Sequence, residues 1–235
     1  MTAEEIMGQL ESLGEESIKK ILLKHGVKEP FFGVKVEHLK KIEKKIKKDY
    51  QLAKDLYATG NADAMYLAGL IADDDKMTKE DLQTWVQQAL SQNISEYTVP
   101  WVAAGGRYGY ELATEWIDSD VEHIAASGWS TLNNLVALKP DEMMDLPALK
   151  ALLARVAKTI NTANNRVKYT MNGFMVALGC YVNPLMADAI ATANKIGTVT
   201  VDMNGTACKV PAAIDYIEKL KARGSLGKKK KTVKC

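Results

Sequence analysis

Residues 31–50 read FFGVKVEHLKKIEKKIKKDY, and the spacing of their apolar residues decides the fold class. From Val36 the apolar positions advance in steps of three, three, four and four residues to Tyr50. At about 100° per residue these positions form one stripe along a helix. The stretch therefore predicts an amphipathic helix over residues 36–50 that packs on a core along one side.

The opposite face of this helix is basic. The stretch contains seven lysines, against only three acidic residues, Glu37, Glu43 and Asp49. Two interpretations fit this pattern, a solvated helix face and a surface that contacts phosphate. The lysines assigned to the phosphate-contacting surface are Lys40, Lys41, Lys44, Lys45 and Lys48.

Charge is unevenly distributed along the chain, although the formal net charge is only +2. Residues 19–49 carry eleven lysines and four acidic residues, and residues 219–235 carry eight basic residues and no acid. Such segregation indicates a polyanionic partner. The composition of residues 224–235 predicts a basic flexible tail. This tail either attracts phosphate or only keeps the protein soluble. Its DNA-binding candidates are Lys228, Lys229, Lys230 and Lys231.

Composition places the chain among globular proteins. Of its 235 residues 47% are hydrophobic and 26% are charged, and no apolar run approaches the roughly 20 residues of a membrane span. The first residues are acidic and lack the basic-then-apolar pattern of a signal peptide. Three cysteines form neither a CxxC pair nor an even disulfide framework, and the histidines lack metal-ligand spacing. We therefore expect a cytoplasmic protein with no metal, no cofactor and no membrane contact.

Helical rhythm continues through most of the chain. Thr2 with Glu5 and Thr78 with Asp81 have the spacing of capping boxes. Amphipathic segments alternate with segments rich in small residues, around polar breaks near residues 61, 93, 120 and 164. This pattern predicts an all-α fold, a HEAT-like α-solenoid of stacked antiparallel helix pairs, as a single domain over residues 1–223.

One segment departs from this rhythm. Residues 198–210, TVTVDMNGTACKV, alternate apolar and polar residues around Asn204-Gly205, a strong signal for a two-residue β-turn. The pattern predicts one small β-hairpin, followed after Pro211 by a final helix.

The opening stretch resembles the segment with which the DNA alkylation repair family, the AlkD-like DNA glycosylases, leads into its early core helices. The matching residues are Phe31, Phe32, Gly33, Val34, Lys35, Val36 and Leu39. The resemblance implies a curved helical-repeat protein whose concave, positively charged face binds duplex DNA. It also implies excision of N3- or N7-alkylated purines by hydrolysis of the N-glycosidic bond.

The resemblance also indicates where a site would lie. A carboxylate can stabilise an oxocarbenium-like sugar by its charge, and aromatic faces can assist. The corresponding stretch offers Glu96, Tyr97 and Trp101 as catalytic candidates, but Trp101 stands where the family has its aspartate. The chain therefore resembles a divergent member that lacks the usual catalytic aspartate motif. Further along, Arg166, Lys168 and Tyr169 share a segment that could contact DNA.

Two functions from different classes remain open at this point. The first is a monomeric DNA-binding protein of the alkylation repair type, acting on alkylated or distorted duplex DNA, with Glu96 as the charge that stabilises the sugar if it is an enzyme. The second is a non-catalytic HEAT-like module that binds DNA structure, RNA or a protein partner.

Overall fold

The computed structural model describes residues 1–234, and within them the regular structure is entirely helical. The α-helices are α1 (Ala3–Ser12), α2 (Glu16–Lys24), α3 (Val36–Ile46), α4 (Tyr50–Ala58), α5 (Ala62–Ile71), α6 (Lys79–Gln88), α7 (Val99–Gly105), α8 (Gly109–Trp116), α9 (Glu122–Leu138), α10 (Leu146–Thr159), α11 (Asn165–Tyr181), α12 (Met186–Ile196) and α13 (Ala213–Ala222). A π-helix, Ile94–Thr98, runs directly into α7, and two short 3₁₀ segments cover Asp141–Met143 and Asn183–Leu185.

The chain forms two compact units. Unit 1 contains Met1–Tyr108 with Met203–Thr206 and Lys234, and unit 2 contains Gly109–Asp202 with Ala207–Val233. Unit 1 therefore holds α1 to α7, and unit 2 holds α8 to α13. The single domain predicted over residues 1–223 stays a prediction.

Each unit contains helices that are far more buried than their neighbours. In unit 1 every residue of α5 is buried, whereas its partner α4 buries four residues, Leu52, Ala53, Leu56 and Tyr57. In unit 2 the long helices α9 and α11 pack against each other, and most residues of both are buried. Small residues in these buried helices allow the close approach, because a Cβ on Gly128 of α9 would lie 2.7 Å from the Ile117 nitrogen.

The helix ends follow local signals that the sequence carries. Both predicted capping boxes form: the Thr2 hydroxyl accepts the Glu5 N–H, and the Thr78 hydroxyl accepts the Asp81 N–H. Each pairing satisfies backbone donors that have no partner within the helix.

The helix predicted over residues 36–50 is shorter than expected. It ends at Ile46, and Lys47 adopts a positive φ of 67° that breaks the helical backbone. The Asp49 carboxylate then accepts the Leu52 N–H and starts α4 at Tyr50. The apolar spacing extended to residue 50 because the next helix, α4, begins with the apolar residue Tyr50.

The β-hairpin predicted over residues 198–210 is wrong, because no strand forms among residues 1–234. The turn itself is present, with Asn204 at φ 54° and Gly205 at φ 67°. The arms do not pair, since the Asn165 side chain takes both backbone groups of Asp202: its Nδ2 donates to the Asp202 oxygen at 2.8 Å and its Oδ1 accepts the Asp202 N–H at 2.7 Å. A two-stranded hairpin is marginal on its own, so this competition decides the outcome.

Within residues 1–234, none of the helices on its own is both long enough and apolar enough to cross a membrane. One bent pair of helices, Asn165–Tyr181 with Asn183–Ile196, has the length and apolar composition of a membrane span.

Candidate nucleic-acid interface

The aromatic-glycine motif before α3 is held by a buried carboxylate in unit 1. Asp63, in the first turn of α5 and 5% exposed, accepts the backbone N–H groups of Phe32 at 2.7 Å, Gly33 at 2.9 Å and Val34 at 3.3 Å. Burial raises the pKa of Asp63, while the three N–H donors act in the opposite direction. Asp63 was not predicted as a functional residue, because its one local signal is its place two residues after the N-cap Asn61.

Gly33 is required by the same motif. Its φ is +85°, and a Cβ there would lie 2.7 Å from the Lys19 nitrogen and 2.8 Å from the Glu15 oxygen. The Gly33 oxygen accepts the Glu15 N–H at 3.1 Å. The loop is thereby fixed at once to the start of α2 and to the start of α5, so the entry to α3 has a defined position.

Helix α3 presents its lysines to solvent in unit 1. Leu39 and Ile42 are buried on one side, whereas Lys41, Lys44 and Lys45 are exposed and Lys40 is half-buried. Among the described residues none of these four lysines takes part in an ion pair. Lys48 lies beyond the helix and 3.7 Å from Asp73 Oδ1, so part of its charge is neutralised by a carboxylate. The structure therefore keeps four of the five predicted lysines on one helix.

The predicted catalytic residues lie on the π-helix and at the start of α7. Glu96 is 6% exposed, Tyr97 is 43% exposed, and Trp101 is 3% exposed. The Trp101 ring contacts the Tyr66 ring edge to face at 5.2 Å, and the Tyr97 ring lies 6.2 Å from it. Trp101 is thus packed in the core, and of the three only Tyr97 is open to solvent.

The π-helix is held tightly against α5. A Cβ on Gly69 of α5 would collide with Cγ2 of Thr98, so the two backbones approach as closely as a glycine permits. Single-turn π-helices inside α-helices often mark functional sites, because the extra residue reorients the side chains around it. In this π-helix the Glu96 side chain is buried and the Tyr97 side chain is exposed to solvent.

Lys234 is fixed in unit 1 instead of lying free. Its Nζ donates to Asp74 Oδ1 at 2.7 Å and to the Ala72 oxygen at 3.2 Å, just beyond the end of α5. Burial raises the pKa of Asp74, and the Lys234 ammonium opposes this shift.

In unit 2 the predicted residues Arg166, Lys168 and Tyr169 lie together in the first turns of α11, and all three are half-buried. The Arg166 guanidinium stacks over the Tyr169 ring at 4.5 Å. The Arg166 backbone N–H donates to Glu122 Oε1 at 2.9 Å. The cluster therefore contains a half-buried guanidinium, that of Arg166, stacked on the Tyr169 ring.

In the basic C-terminal segment of unit 2, which the sequence predicts to be a flexible tail, two lysines are hydrogen bonded to the end of α9. The Lys229 ammonium donates to the Val136 oxygen at 2.9 Å and lies 2.7 Å from Asp141 Oδ1. The Lys230 N–H donates to the Ala137 oxygen at 2.8 Å. Lys228, Lys230 and Lys231 are exposed, and Lys229 is half-buried. One of the four predicted DNA-binding lysines in this segment is therefore directed inward.

Within residues 1–234, no group of three or more His, Cys, Asp or Glu side chains is arranged to hold a metal ion. The expectation that the protein works without metal or cofactor stays a prediction.

The sequence profile that describes the DNA alkylation repair enzyme family matches residues 6–217. The chain belongs to this family. It is 31% identical to the uncharacterized protein Lin0241 of Listeria innocua and 32% identical to the uncharacterized protein Lmo0209 of Listeria monocytogenes. Each match spans 229 residues and covers 95% of this chain and 99% of the relative.

A solved structure of this family's fold is also similar over its full length. It shares 35% identity and a TM-score of 0.91, with complete coverage of both chains. That protein belongs to "a new family of proteins related to the HEAT-like repeat DNA glycosylases with affinity for branched DNA structures". The all-α class, the HEAT-like repeat fold and the family resemblance predicted from the sequence are confirmed.

Proposed function

We propose that this DNA alkylation repair family member is a DNA-binding protein that selects DNA by its structure, with α3 contacting the phosphate backbone. The observation that carries the proposal is the row formed by Lys41, Lys44 and Lys45, exposed on a helix whose other side is anchored by Leu39 and Ile42. Lysines that are held by a packed helix and form no ion pair with a carboxylate remain available to neutralise phosphates.

Branched or distorted DNA is the proposed substrate class. The support is the full-length similarity to a protein described as having affinity for branched DNA structures. Phosphate contacts position a protein on DNA without reading the bases, so a row of lysines suits a protein that selects shape. Trp101 is buried, and the resemblance puts it where the family has its aspartate, which supports binding without base excision.

The test is a direct comparison of DNA shapes. A fluorescein-labelled four-way junction and a linear duplex of the same arm sequence are titrated with the protein by fluorescence anisotropy at one salt concentration. We expect tighter binding of the junction. Equal affinities for the two DNAs would show that the protein binds DNA without the proposed selectivity. If neither DNA binds, the proposal fails, and an RNA or protein partner becomes the better explanation.

Base excision is a second candidate, favoured by the π-helix that carries Glu96 and Tyr97. In this reaction water adds to C1′ of the sugar, the N-glycosidic electron pair leaves with the alkylated purine, and the released proton passes to solvent. Glu96 would stabilise the positive charge on the sugar. Release of 7-methylguanine or 3-methyladenine from methylated DNA, abolished by Glu96→Gln, would establish it. The absence of release by the wild-type protein would leave the binding function alone.

The cytoplasmic location and the monomeric state belong to the same proposal. A single sedimenting species of about 26 kDa, the mass of one chain at 25.8 kDa, is the result expected for the monomer.

A further inference from the structure

The C-terminal segment Gly227–Lys231, here called the lysine strip, covers the carbonyl ends of two helices in unit 2. The last four carbonyls of an α-helix lack partners within the helix. At the end of α9 the Val136 oxygen accepts from the Lys229 ammonium, and the Ala137 oxygen accepts from the Lys230 N–H. At the end of α11 the Cys180 oxygen accepts from the Gly227 N–H at 2.8 Å.

Charge stabilises the same arrangement. A helix C-terminus carries partial negative charge, so a lysine ammonium placed there is favoured. Lys229 is also paired with Asp141, and both side chains are 21% exposed. The other Asp141 oxygen accepts the Asn183 N–H at 3.1 Å, which fixes the carboxylate from a second side.

The start of the strip is shaped for close contact. Gly227 has a φ of +75°, and a Cβ at this position would collide with the Asn183 side chain. A residue other than glycine would therefore be strained in its backbone and would also displace the strip from the end of α11.

The anchoring of Lys229 leaves Lys228, Lys230 and Lys231 exposed in a short, fixed segment. The Lys230 ammonium lies 5.5 Å from the centre of the Tyr181 ring, which restricts its position further. A pre-ordered row of cations loses less conformational entropy on binding than a mobile tail does. Such a row fits a sugar-phosphate backbone.

We propose that the lysine strip is a second phosphate-contacting surface of this protein, with Lys229 as its structural anchor and Lys228 and Lys231 as its DNA contacts. The inference rests on the proposed DNA-binding function. The strip lies at the C-terminal end of α11, whereas Arg166 lies at the N-terminal end. Fourteen residues at 1.5 Å per residue separate Cys180 from Arg166, about 21 Å, so the strip is a separate surface from the Arg166 cluster.

The experiment compares a variant of the strip with a control variant that loses the same charge elsewhere in unit 2. The variant Lys228→Gln/Lys231→Gln removes the proposed contacts, and Lys150→Gln/Lys221→Gln removes the same charge from exposed lysines of unit 2 that are paired with Asp188 and Glu218. Binding of a junction DNA is measured as a function of salt. We expect the strip variant to flatten the log K against log salt slope by about 1.8 with unchanged thermal stability, because each phosphate contact contributes about 0.9.

The outcomes separate the two proposals. If wild-type protein does not bind DNA, both the proposed function and the strip's role in it fail. If wild-type protein binds and the strip variant has the wild-type slope, or changes no more than the control variant, only the strip inference fails.

The anchor is tested separately. Lys229→Met should lower the Tm and speed hydrogen exchange at the Lys230 amide, which is hydrogen bonded to Ala137. A Lys230 amide that exchanges as fast in wild-type protein as in an unfolded peptide would contradict an anchored strip.

Discussion

Asp63 Oδ2 accepts the Gly33 N–H at 2.9 Å, across thirty positions of sequence. This bond ties the first turn of the buried helix α5 to the glycine that precedes the basic helix α3. The position of the proposed DNA-contacting lysines therefore depends on a carboxylate that is itself buried.

Asp63→Asn should destabilise the protein by about 1–3 kcal/mol, because an amide NH₂ would face a backbone N–H donor and leave it unsatisfied. Urea unfolding followed by circular dichroism measures the change. Asp75→Asn, at an exposed aspartate, is the control and should change the free energy of unfolding by less than about 0.5 kcal/mol. Equal effects of the two substitutions would show that the three hydrogen bonds to Asp63 do not matter.

Gly33→Ala should destabilise more than Gly60→Ala. Both glycines have positive φ, +85° and +67°, but a Cβ on Gly60 meets nothing within 4 Å, whereas on Gly33 it meets Lys19 and Glu15. The Gly60 variant measures the backbone cost alone, about 1–2 kcal/mol. In the Gly33 variant a steric clash with Lys19 and Glu15 adds to this backbone cost. Urea midpoints that fall by the same amount would contradict the close packing of the motif.

Lys234→Met should lower stability by about 1–3 kcal/mol at pH 7, because it leaves the half-buried Asp74 carboxylate without its ion-pair partner. Removing the cation raises the pKa of Asp74 further above its ordinary value. At a pH between the unfolded-state and folded-state pKa values the native state holds a proton that the unfolded state has released, so the penalty falls as pH decreases through the folded-state pKa.

Thermal unfolding of the Lys234→Met variant and the wild type at pH 7 and pH 4 should therefore show a smaller difference at pH 4. Adding Asp74→Asn to Lys234→Met should restore part of the loss at pH 7, because no buried charge remains. A difference that is independent of pH would exclude the Asp74 explanation.

Cys180 should resist alkylation at pH 8, while Cys208 should react. Burial raises the pKa of Cys180 to about 11, so only about one thiol in a thousand is ionised at that pH. Cys208 is exposed. Mass spectrometry after brief iodoacetamide treatment of a Cys235→Ser variant measures both sites. Equal labelling of the two cysteines would show that Cys180 is accessible in the native state.

The helices were predictable because their signals are local. Each signal involves residues no more than four positions apart. Leu39 and Ile42 are buried as their spacing predicts, and Thr2 and Thr78 cap their helices. The turn at Asn204-Gly205 also formed for the same reason. What failed there was the pairing of its arms, because a distant side chain, Asn165, competes for the backbone.

The functional surfaces were less predictable because they depend on distant partners. A run of four lysines gives no sign that Lys229 is directed inward while Lys228 and Lys231 are exposed, since the difference arises from the end of α9. Likewise, nothing local distinguishes Asp63 from an ordinary acidic residue in the first turn of a helix.

The salt dependence of DNA binding by an α3 variant measures whether the lysines of α3 contact DNA phosphates. Lys41→Gln/Lys44→Gln/Lys45→Gln is compared with Lys76→Gln/Lys150→Gln/Lys221→Gln, which removes the same charge from exposed lysines already paired with Asp73, Asp188 and Glu218. We predict that the α3 variant binds junction DNA more weakly and flattens the log K against log salt slope by roughly 0.9 for each lost phosphate contact. The paired-lysine variant should keep a slope close to that of the wild type. Equal slopes for the two variants would contradict the assignment of DNA binding to α3.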